Sequence, residues 1–139
     1  MSFLFFLSQI FFNFLPQGEI LFPAGIVQVE VADSPLEQQR GLMDRMYLSE
    51  DHGMIFVYQD SHVRTFWMKN TLLPLDMIFF DASKKIVDIK KNVQPCRQDP
   101  CEIYPSKKPA QYVLEMKSGS ADRLGLRENG SASIILPYP

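Results

Sequence analysis

The sequence predicts one mainly β domain: a small, strongly bent sheet or β-barrel with one N-terminal helix packed on it. A chain of 139 residues is the size of a single domain. Apolar and polar residues alternate over 26–32, which is typical of a strand with one buried face. The other apolar runs are short and numerous, and this favours a bent sheet or barrel over a layered α/β fold.

The elements can be placed in order along the chain. The first strand is predicted at 26–32. A helix is predicted at about 35–47, because Ser34 and Glu37 have the spacing of a capping box. Further strands are predicted at 53–58, 63–69, 76–81, 85–91, 110–116 and 131–136, with helical turns at 118–124. Residues 92–109 hold four of the 10 prolines and both cysteines, and therefore predict an irregular loop.

The N-terminal 17 residues differ in composition from the rest. Six of the 11 phenylalanines lie in the first 14 residues, and the first charged residue is Glu19. The length of this segment suits the apolar region of a signal peptide or an anchor. A buried helix or strand, or a mis-assigned start, would also explain it. We expect residues 1–17 to direct the chain out of the cytosol, 16–24 to act as a linker, and 18–139 to form the globular domain.

Charge and motifs exclude several function classes. The net charge is -2 and no run of Lys or Arg occurs, so binding of nucleic acid through a basic patch is not expected. The sequence has no nucleophile elbow, no zinc-protease motif and no phosphate-binding glycine loop. Catalysis is left open, because catalytic groups need not be adjacent in sequence.

Several strings are more specific than this composition. They are Val29-Glu30-Val31-Ala32, Arg40-Gly41-Leu42-Met43-x-Arg45, Gly53-Met54-Ile55-Phe56, Phe66-Trp67-Met68-Lys69-Asn70-Thr71 with Pro74-Leu75-Asp76, and Tyr112-Val113-Leu114-Glu115 with Gly119 downstream. In this set the chain resembles the family known as domain of unknown function 192, over roughly residues 22–135. One departure is Asn129-Gly130-Ser131, which stands where the family has a Gly-Asp pair.

The resemblance implies little about activity. It implies a compact, mostly β domain of a kind found in bacteria and archaea, often with a signal peptide or lipid anchor. It assigns no reaction.

Cys96 and Cys101 lie in the proline-rich loop with four residues between them. A structural zinc site needs four ligands, and neither His52 nor His62 is close in sequence. We predict a structural disulfide in preference to a redox-active pair, a zinc site or two free thiols. A disulfide would agree with export, because such bonds persist outside a reducing cytosol. Methionines beside the family strings are predicted to pack in the core and not to bind Cu(I), and no metal or cofactor is expected.

Polar groups around the Trp string are the candidate ligand-binding residues. A large aromatic, a cation, an amide and a carboxylate occur within ten residues. In an extended strand Trp67 and Lys69 would share one face. With two arginines nearby, we predict one polar-rimmed pocket lined by Arg40, Arg45, Trp67, Lys69, Asn70 and Asp76. The alternative is structural: a salt bridge from Lys69 to Asp76 with Asn70 capping the turn between them.

These observations favour a monomeric, exported or anchored protein that binds a small anionic or sugar-like ligand, or an envelope component, without covalent chemistry. One alternative is an enzyme acting on an envelope polymer through Asp76, Lys69 and an arginine. That enzyme would need a second carboxylate to converge with Asp76, and Glu30, Asp81 and Glu115 are the candidates. The other alternative is a structural module, which a large exposed apolar patch would favour.

Overall fold

A computed structural model describes residues 15–139, and this region is mainly β, as predicted. The strands are β1 (Gln17–Phe22), β2 (Gly25–Ala32), β3 (His52–His62), β4 (Thr65–Trp67), β5 (Leu75–Phe80), β6 (Ile86–Val93), β7 (Ile103–Pro105), β8 (Ala110–Lys117) and β9 (Ser133–Ile135). The helices are α1 (Pro35–Arg40) and α2 (Ser120–Arg123). No helix between residues 15 and 139 has the length and apolar character needed to cross a membrane.

Seven strands form one mixed sheet in the order β6-β5-β8-β3-β2-β1-β9, and β4 pairs with β7 in a separate ribbon. Only β2 and β3 are parallel. The sheet is open, so the predicted barrel is wrong. Closure would need a ladder between the outer strands, but β9 has three residues and a single bridge, Lys85 to Ser131, joins the two sides.

The sheet is covered on both faces, and each face has its own core. All six residues of β5 are buried, which is expected of a strand packed on both sides. Ile78 and Phe80 belong to a first core, which also contains the apolar residues of α2 and of the chain that follows it. Met77 and Phe79 belong to a second core on the opposite face. Residues from the loops and from β4 cover the second core: Leu42, Leu48, Phe66 and Met68.

Helix α1 begins as predicted and ends earlier. The Ser34 side chain accepts a hydrogen bond from the Glu37 N–H, and the Glu37 carboxylate accepts one from the Ser34 N–H. The helix ends at Arg40 because Gly41 has φ +47°, a conformation that side chains disfavour. The prediction of a packed helix to residue 47 is wrong, since α1 buries none of its six side chains. Instead Leu42, just beyond the turn, enters the second core.

Two short strands occupy segments that were predicted to be irregular. β1 lies in the predicted linker and pairs with β2, with Ile20 opposite Val27, so that Ile20 is fully buried. β7 lies in the predicted loop and pairs with β4. Most of the predicted export segment, residues 1–14, is outside the described residues.

Candidate functional site

A cavity of about 180 Å³ lies on the second-core face of the sheet, between the end of α1, β3, β4 and β8. Apolar and neutral polar groups form most of its wall, and its ionisable groups stand at the floor and the rim. The residues that define it are Arg40, Phe56, Tyr58, Thr65, Trp67, Lys69, Thr71 and Glu115. Drug-sized ligands occupy pockets of about 300–1,000 Å³, so this cavity suits a small ligand or one end of a larger one.

Glu115 is placed in the cavity by the register of the sheet. It lies on β8, opposite Met54 of β3 and Met77 of β5, both of which belong to the second core. The neighbouring strand approaches closely at Gly53, where a Cβ would lie 2.5 Å from the carbonyl oxygen of Glu115. The carboxyl group therefore stands over an apolar floor in the centre of the sheet.

The Glu115 side chain is buried, and its carboxyl oxygens reach the cavity, since no side-chain oxygen or nitrogen in residues 15–139 is both wholly buried and without a hydrogen bond. The residue is 4% exposed, and its side chain has no hydrogen bond or ion pair to another residue in the range 15–139. By contrast, buried Asp88 lies 3.1 Å from the Lys90 Nζ. Burial disfavours the charged form and raises the pKa of Glu115 from 4.5 to about 8. Near neutral pH the group is mostly a protonated acid, which can donate and accept a hydrogen bond.

Tyr58 is the other titratable group in the inner wall. Burial is the main cause that raises the pKa of Tyr58 to about 12, so its hydroxyl stays protonated. Arg64 lies over the Tyr58 ring, 3.8 Å from its centroid, and donates to the Ala110 carbonyl. Arg64 is thus held outside the cavity as a support for the tyrosine.

Two cations stand at the rim. Arg40 is the exposed last residue of α1. Phe66 packs edge-on against Phe56, with ring centroids 4.9 Å apart, and this leaves Trp67 facing outward. The Lys69 Nζ lies 5.4 Å from the centroid of the Trp67 ring, so the prediction that these two side chains share a side is confirmed.

A groove of about 480 Å³ continues outward from the same rim. It shares Arg40, Trp67 and Lys69 with the cavity and adds the exposed amide of Asn70. Four of the six predicted site residues therefore lie together along the cavity and groove.

Arg45 does not line the cavity. Its two terminal nitrogens contact the two carboxylate oxygens of Glu30, with Nη2 2.9 Å from Oε1. A bidentate pair of this kind uses the donors that a ligand would need. Arg45 is therefore engaged within the fold, on the opposite side of Arg40 from the cavity.

Asp76 lies on the other face of the sheet, so its predicted place in the pocket is wrong. It is 1% exposed, and its carboxylate accepts N–H groups from Asn92 (2.8 Å), Gly119 (3.1 Å) and Ala121 (2.9 Å). The alternative salt bridge to Lys69 is wrong as well, since the carboxylate nearest to Lys69 is that of Asp99, at 3.9 Å. Residues 71–74 separate Lys69 from β5, and the strand register then turns Asp76 towards the first core.

The three candidate second carboxylates do not converge with Asp76. Glu30 pairs with Arg45, and Asp81 accepts N–H groups within the β5–β6 hairpin. Met77 is opposite Glu115 in the sheet, so Asp76, one residue earlier, points to the opposite face from Glu115. A pair of carboxylates acting on one bond is therefore not formed by these residues.

A disulfide-closed ring contacts the segment that carries Lys69 at the rim. The Sγ atoms of Cys96 and Cys101 are 2.08 Å apart, so the predicted disulfide is formed. The Cys96 N–H donates to the Met68 carbonyl at 3.2 Å, and Asp99 inside the ring faces Lys69. β7 follows the ring and pairs with β4, so part of the predicted irregular loop is held beside the strand that carries Trp67.

The family model DUF192, described as "Uncharacterized ACR", matches residues 21–134. This chain belongs to the DUF192 family. The match covers the whole main sheet except the first four residues of β1 and the last residue of β9.

Curated relatives of this DUF192 protein are uncharacterised UPF0127 proteins. The protein of Thermococcus kodakarensis is 29% identical over 106 residues, which is 73% of this chain and 60% of the relative. The protein of Pyrococcus abyssi is 32% identical over 93 residues, 63% of this chain and 69% of the relative. The chain thus spans about three fifths of the length of the Thermococcus kodakarensis relative.

Two crystal structures share the fold. A Sinorhizobium meliloti protein, provisionally described as a transcription regulator, has a TM-score of 0.76 at 33% identity and covers 86% of this chain and 92% of its own. A Novosphingobium aromaticivorans protein of unknown function has a TM-score of 0.74 at 32% identity, with 84% and 83% covered. These matches support the architecture and assign no activity.

Sequence reasoning named Glu115 only as a partner for Asp76 and missed its place in the cavity. A signal was present, because Glu115 stands inside the apolar run of 113–116. A charged residue inside a continuous apolar run is expected to be buried, and such groups cluster at functional sites.

Proposed function

We propose that this protein binds a small anionic or sugar-like ligand in the Glu115 cavity without covalent chemistry. The observation that carries the proposal is a carboxyl that faces a cavity, has no hydrogen bond or ion pair among residues 15–139, and lies below a rim that holds Arg40 and Lys69. Near neutral pH the floor is mostly uncharged and the rim is positive. An anion with an additional hydroxyl or carbonyl oxygen complements both parts.

The energetic cost of Glu115 supports a functional role. Buried polar groups in native proteins nearly always have a hydrogen-bond partner, and each exception needs an explanation. A methionine or glutamine would fill the same site at lower cost, because Met54 and Met77 already surround it with apolar groups. A ligand that completes the hydrogen bonding of Glu115 explains why the acid is there.

Binding is favoured over the enzyme that the sequence left open. Hydrolysis of a glycosidic bond generally uses two carboxyl groups on either side of that bond. Of the residues in the range 15–139 that line the cavity, Glu115 alone carries a carboxyl group. The enzyme hypothesis relied on Asp76, which is fully engaged on the other face.

We also propose that the protein works outside the cytosol, in the periplasm or cell envelope. Two features support this: the apolar composition of the first 17 residues, and the pairing of Cys96 with Cys101. Transcription regulation, the description of the Sinorhizobium relative, is not proposed for this chain. The net charge of this chain is -2, which does not favour binding to DNA.

Trp67 provides a direct test of binding. It is the single tryptophan of the chain and is 41% exposed at the rim, so a ligand there should change its fluorescence. The experiment titrates a panel of small carboxylates, sugars and sugar phosphates, and repeats each titration with Glu115→Met, which keeps the side-chain size and removes both carboxyl oxygens. Glu50→Met is the matched control, since Glu50 is exposed and does not line the cavity.

We expect at least one class to change the Trp67 emission saturably, with weaker binding in Glu115→Met and unchanged binding in Glu50→Met. A panel that leaves the emission unchanged, or a ligand that binds both variants like the parent, would refute the proposal.

A further inference from the structure

We infer, resting on the proposed function, that the ligand is a sugar acid whose carboxylate lies between Arg40 and Lys69, whose ring packs on Trp67 and whose hydroxyl contacts Glu115. The shared rim of the cavity and the groove is the basis for this assignment. It joins the cations Arg40 and Lys69, the Trp67 ring 5.4 Å from the Lys69 Nζ, and the Glu115 carboxyl.

The charges at the rim select an anion. Arg40 and Lys69 line both spaces, and the other titratable groups facing the cavity are Tyr58 and Glu115. The Asp99 carboxylate already lies 3.9 Å from the Lys69 Nζ. Lys69 is therefore accessible to a carboxylate. Asp99 carries one negative charge and offsets only part of the positive charge of Arg40 and Lys69.

The geometry favours a carboxylate over a phosphate. Phosphate groups are commonly held by backbone N–H groups at the start of a helix. Here the end of α1 that reaches the rim is its C-terminal end, with Arg40 as its last residue. The part of the rim that α1 supplies has no such N–H groups, and the side-chain cations Arg40 and Lys69 can pair with a carboxylate.

The uncharged residues of the groove favour a ligand that contains a hydroxylated ring. The indole of Trp67 is partly exposed, and the groove beside it is lined by the amides of Gln39 and Asn70. A sugar ring combines an apolar C–H face, which packs on an indole, with hydroxyl edges that bind amides and carboxyl groups. The inner cavity accepts one edge of such a ring, and the groove accepts the remainder.

Free sugar acids and the ends of acidic polysaccharides share this chemistry. The groove of about 480 Å³ is open beyond the rim and would allow a chain to continue outward. The experiment therefore includes both sources.

The probes are D-glucuronate, its methyl ester, D-glucose 6-phosphate and a short oligomer of a uronic acid, each titrated against the whole chain by Trp67 fluorescence and calorimetry. The methyl ester keeps the ring and removes the charge. We expect the acid to bind at least about tenfold more tightly than its ester, a difference of about 1.4 kcal/mol. Tighter binding of the oligomer would identify a polysaccharide as the source, and equal binding a free sugar acid.

Two variants locate the groups. Lys69→Met should abolish the preference for acid over ester while the ester still binds. Glu115→Met should weaken acid and ester by a similar factor, because both present the same hydroxyls. Lys117→Met, an exposed lysine outside the site, is the control and should keep the preference.

Equal binding of acid and ester, tighter binding of the phosphate, or a preference that survives Lys69→Met would overturn the inference. If uronates fail while another member of the broader panel binds in a Glu115-dependent way, the sugar-acid assignment falls and the proposed function stands. If no compound in either set binds, both are rejected.

Discussion

Asp76 and Glu115 are both buried acids, on the adjacent strands β5 and β8 and within one register position of each other, yet their surroundings are opposite. Asp76 faces the first core and accepts three backbone N–H groups. Glu115 faces the second core and accepts none from the described chain. The hydrogen bonds of Asp76 connect β6 and the start of α2 to β5, whereas Glu115 connects β8 to no other element through its side chain within residues 15–139. Burial alone therefore does not distinguish the two acids, whereas the number of hydrogen-bond partners within residues 15–139 does.

The largest effect is expected from removing the structural acid. Asp76→Ala leaves three N–H groups without an acceptor, at Asn92, Gly119 and Ala121. We expect the free energy of unfolding to fall by about 4.5 kcal/mol or more, since each of the three hydrogen bonds to a charged group contributes about 1.5–3 kcal/mol. Urea denaturation measures the change. Asp81→Ala, in an exposed hairpin, is the comparison and should cost about 1 kcal/mol. Similar losses in the two variants would contradict the assigned role of Asp76.

Glu115→Gln should change the free energy of unfolding in the opposite direction and stabilise the protein. The folded protein binds a proton at Glu115 up to about pH 8, whereas the unfolded chain releases it near pH 4.5. The native state therefore holds more protons in this window, and its stability falls as the pH rises through it. We expect the glutamine variant to be more stable by roughly 3 kcal/mol at neutral pH, with the difference vanishing below pH 4.5. Denaturation across this range tests it, and a destabilised variant at neutral pH would show that Glu115 has a structural partner.

Replacing both cysteines by serine tests the support behind the rim. The ring between Cys96 and Cys101 is short, so the loss of stability should be about 2 kcal/mol. Because the ring contacts the chain at Met68 and Lys69, we also expect acrylamide to quench Trp67 more strongly. Unchanged quenching in a folded variant would mean that the ring does not hold the site.

Lys69→Met should have the smallest effect on stability. The Lys69 side chain is 40% exposed and its only ion pair within residues 15–139 is a 3.9 Å contact to Asp99, so we expect a change of about 1 kcal/mol or less. Binding of the acid should nevertheless fall to the level of its ester, and cellular function should be lost. A marked loss of stability, or full function in cells, would assign Lys69 a structural role like that of Asp76.

The features that could be predicted from sequence depend on short-range chemistry. The capping box fixed the start of α1, and the spacing of Cys96 and Cys101 allowed their bond. Trp67 and Lys69 lie near each other as predicted, but Lys69 stands in the turn after β4 and not in the strand. The open sheet could not be predicted, because closure depends on how the outer strands β6 and β9 meet. Strand β1 was missed because Pro16 and Gly18 indicated a break, although Ile20 pairs deep in the sheet.

Residue types and local spacing determined a mainly β chain, the family to which it belongs and a concentration of polar groups around Trp67. Only the tertiary structure decided which acid belongs to the site. A one-residue offset in a strand reverses the face to which a side chain points, and the pairing of β5 with β8 sets that offset across 40 residues of sequence. Asp76 was thereby directed into a set of backbone hydrogen bonds, and Glu115 into a cavity that the end of α1 and β4 complete.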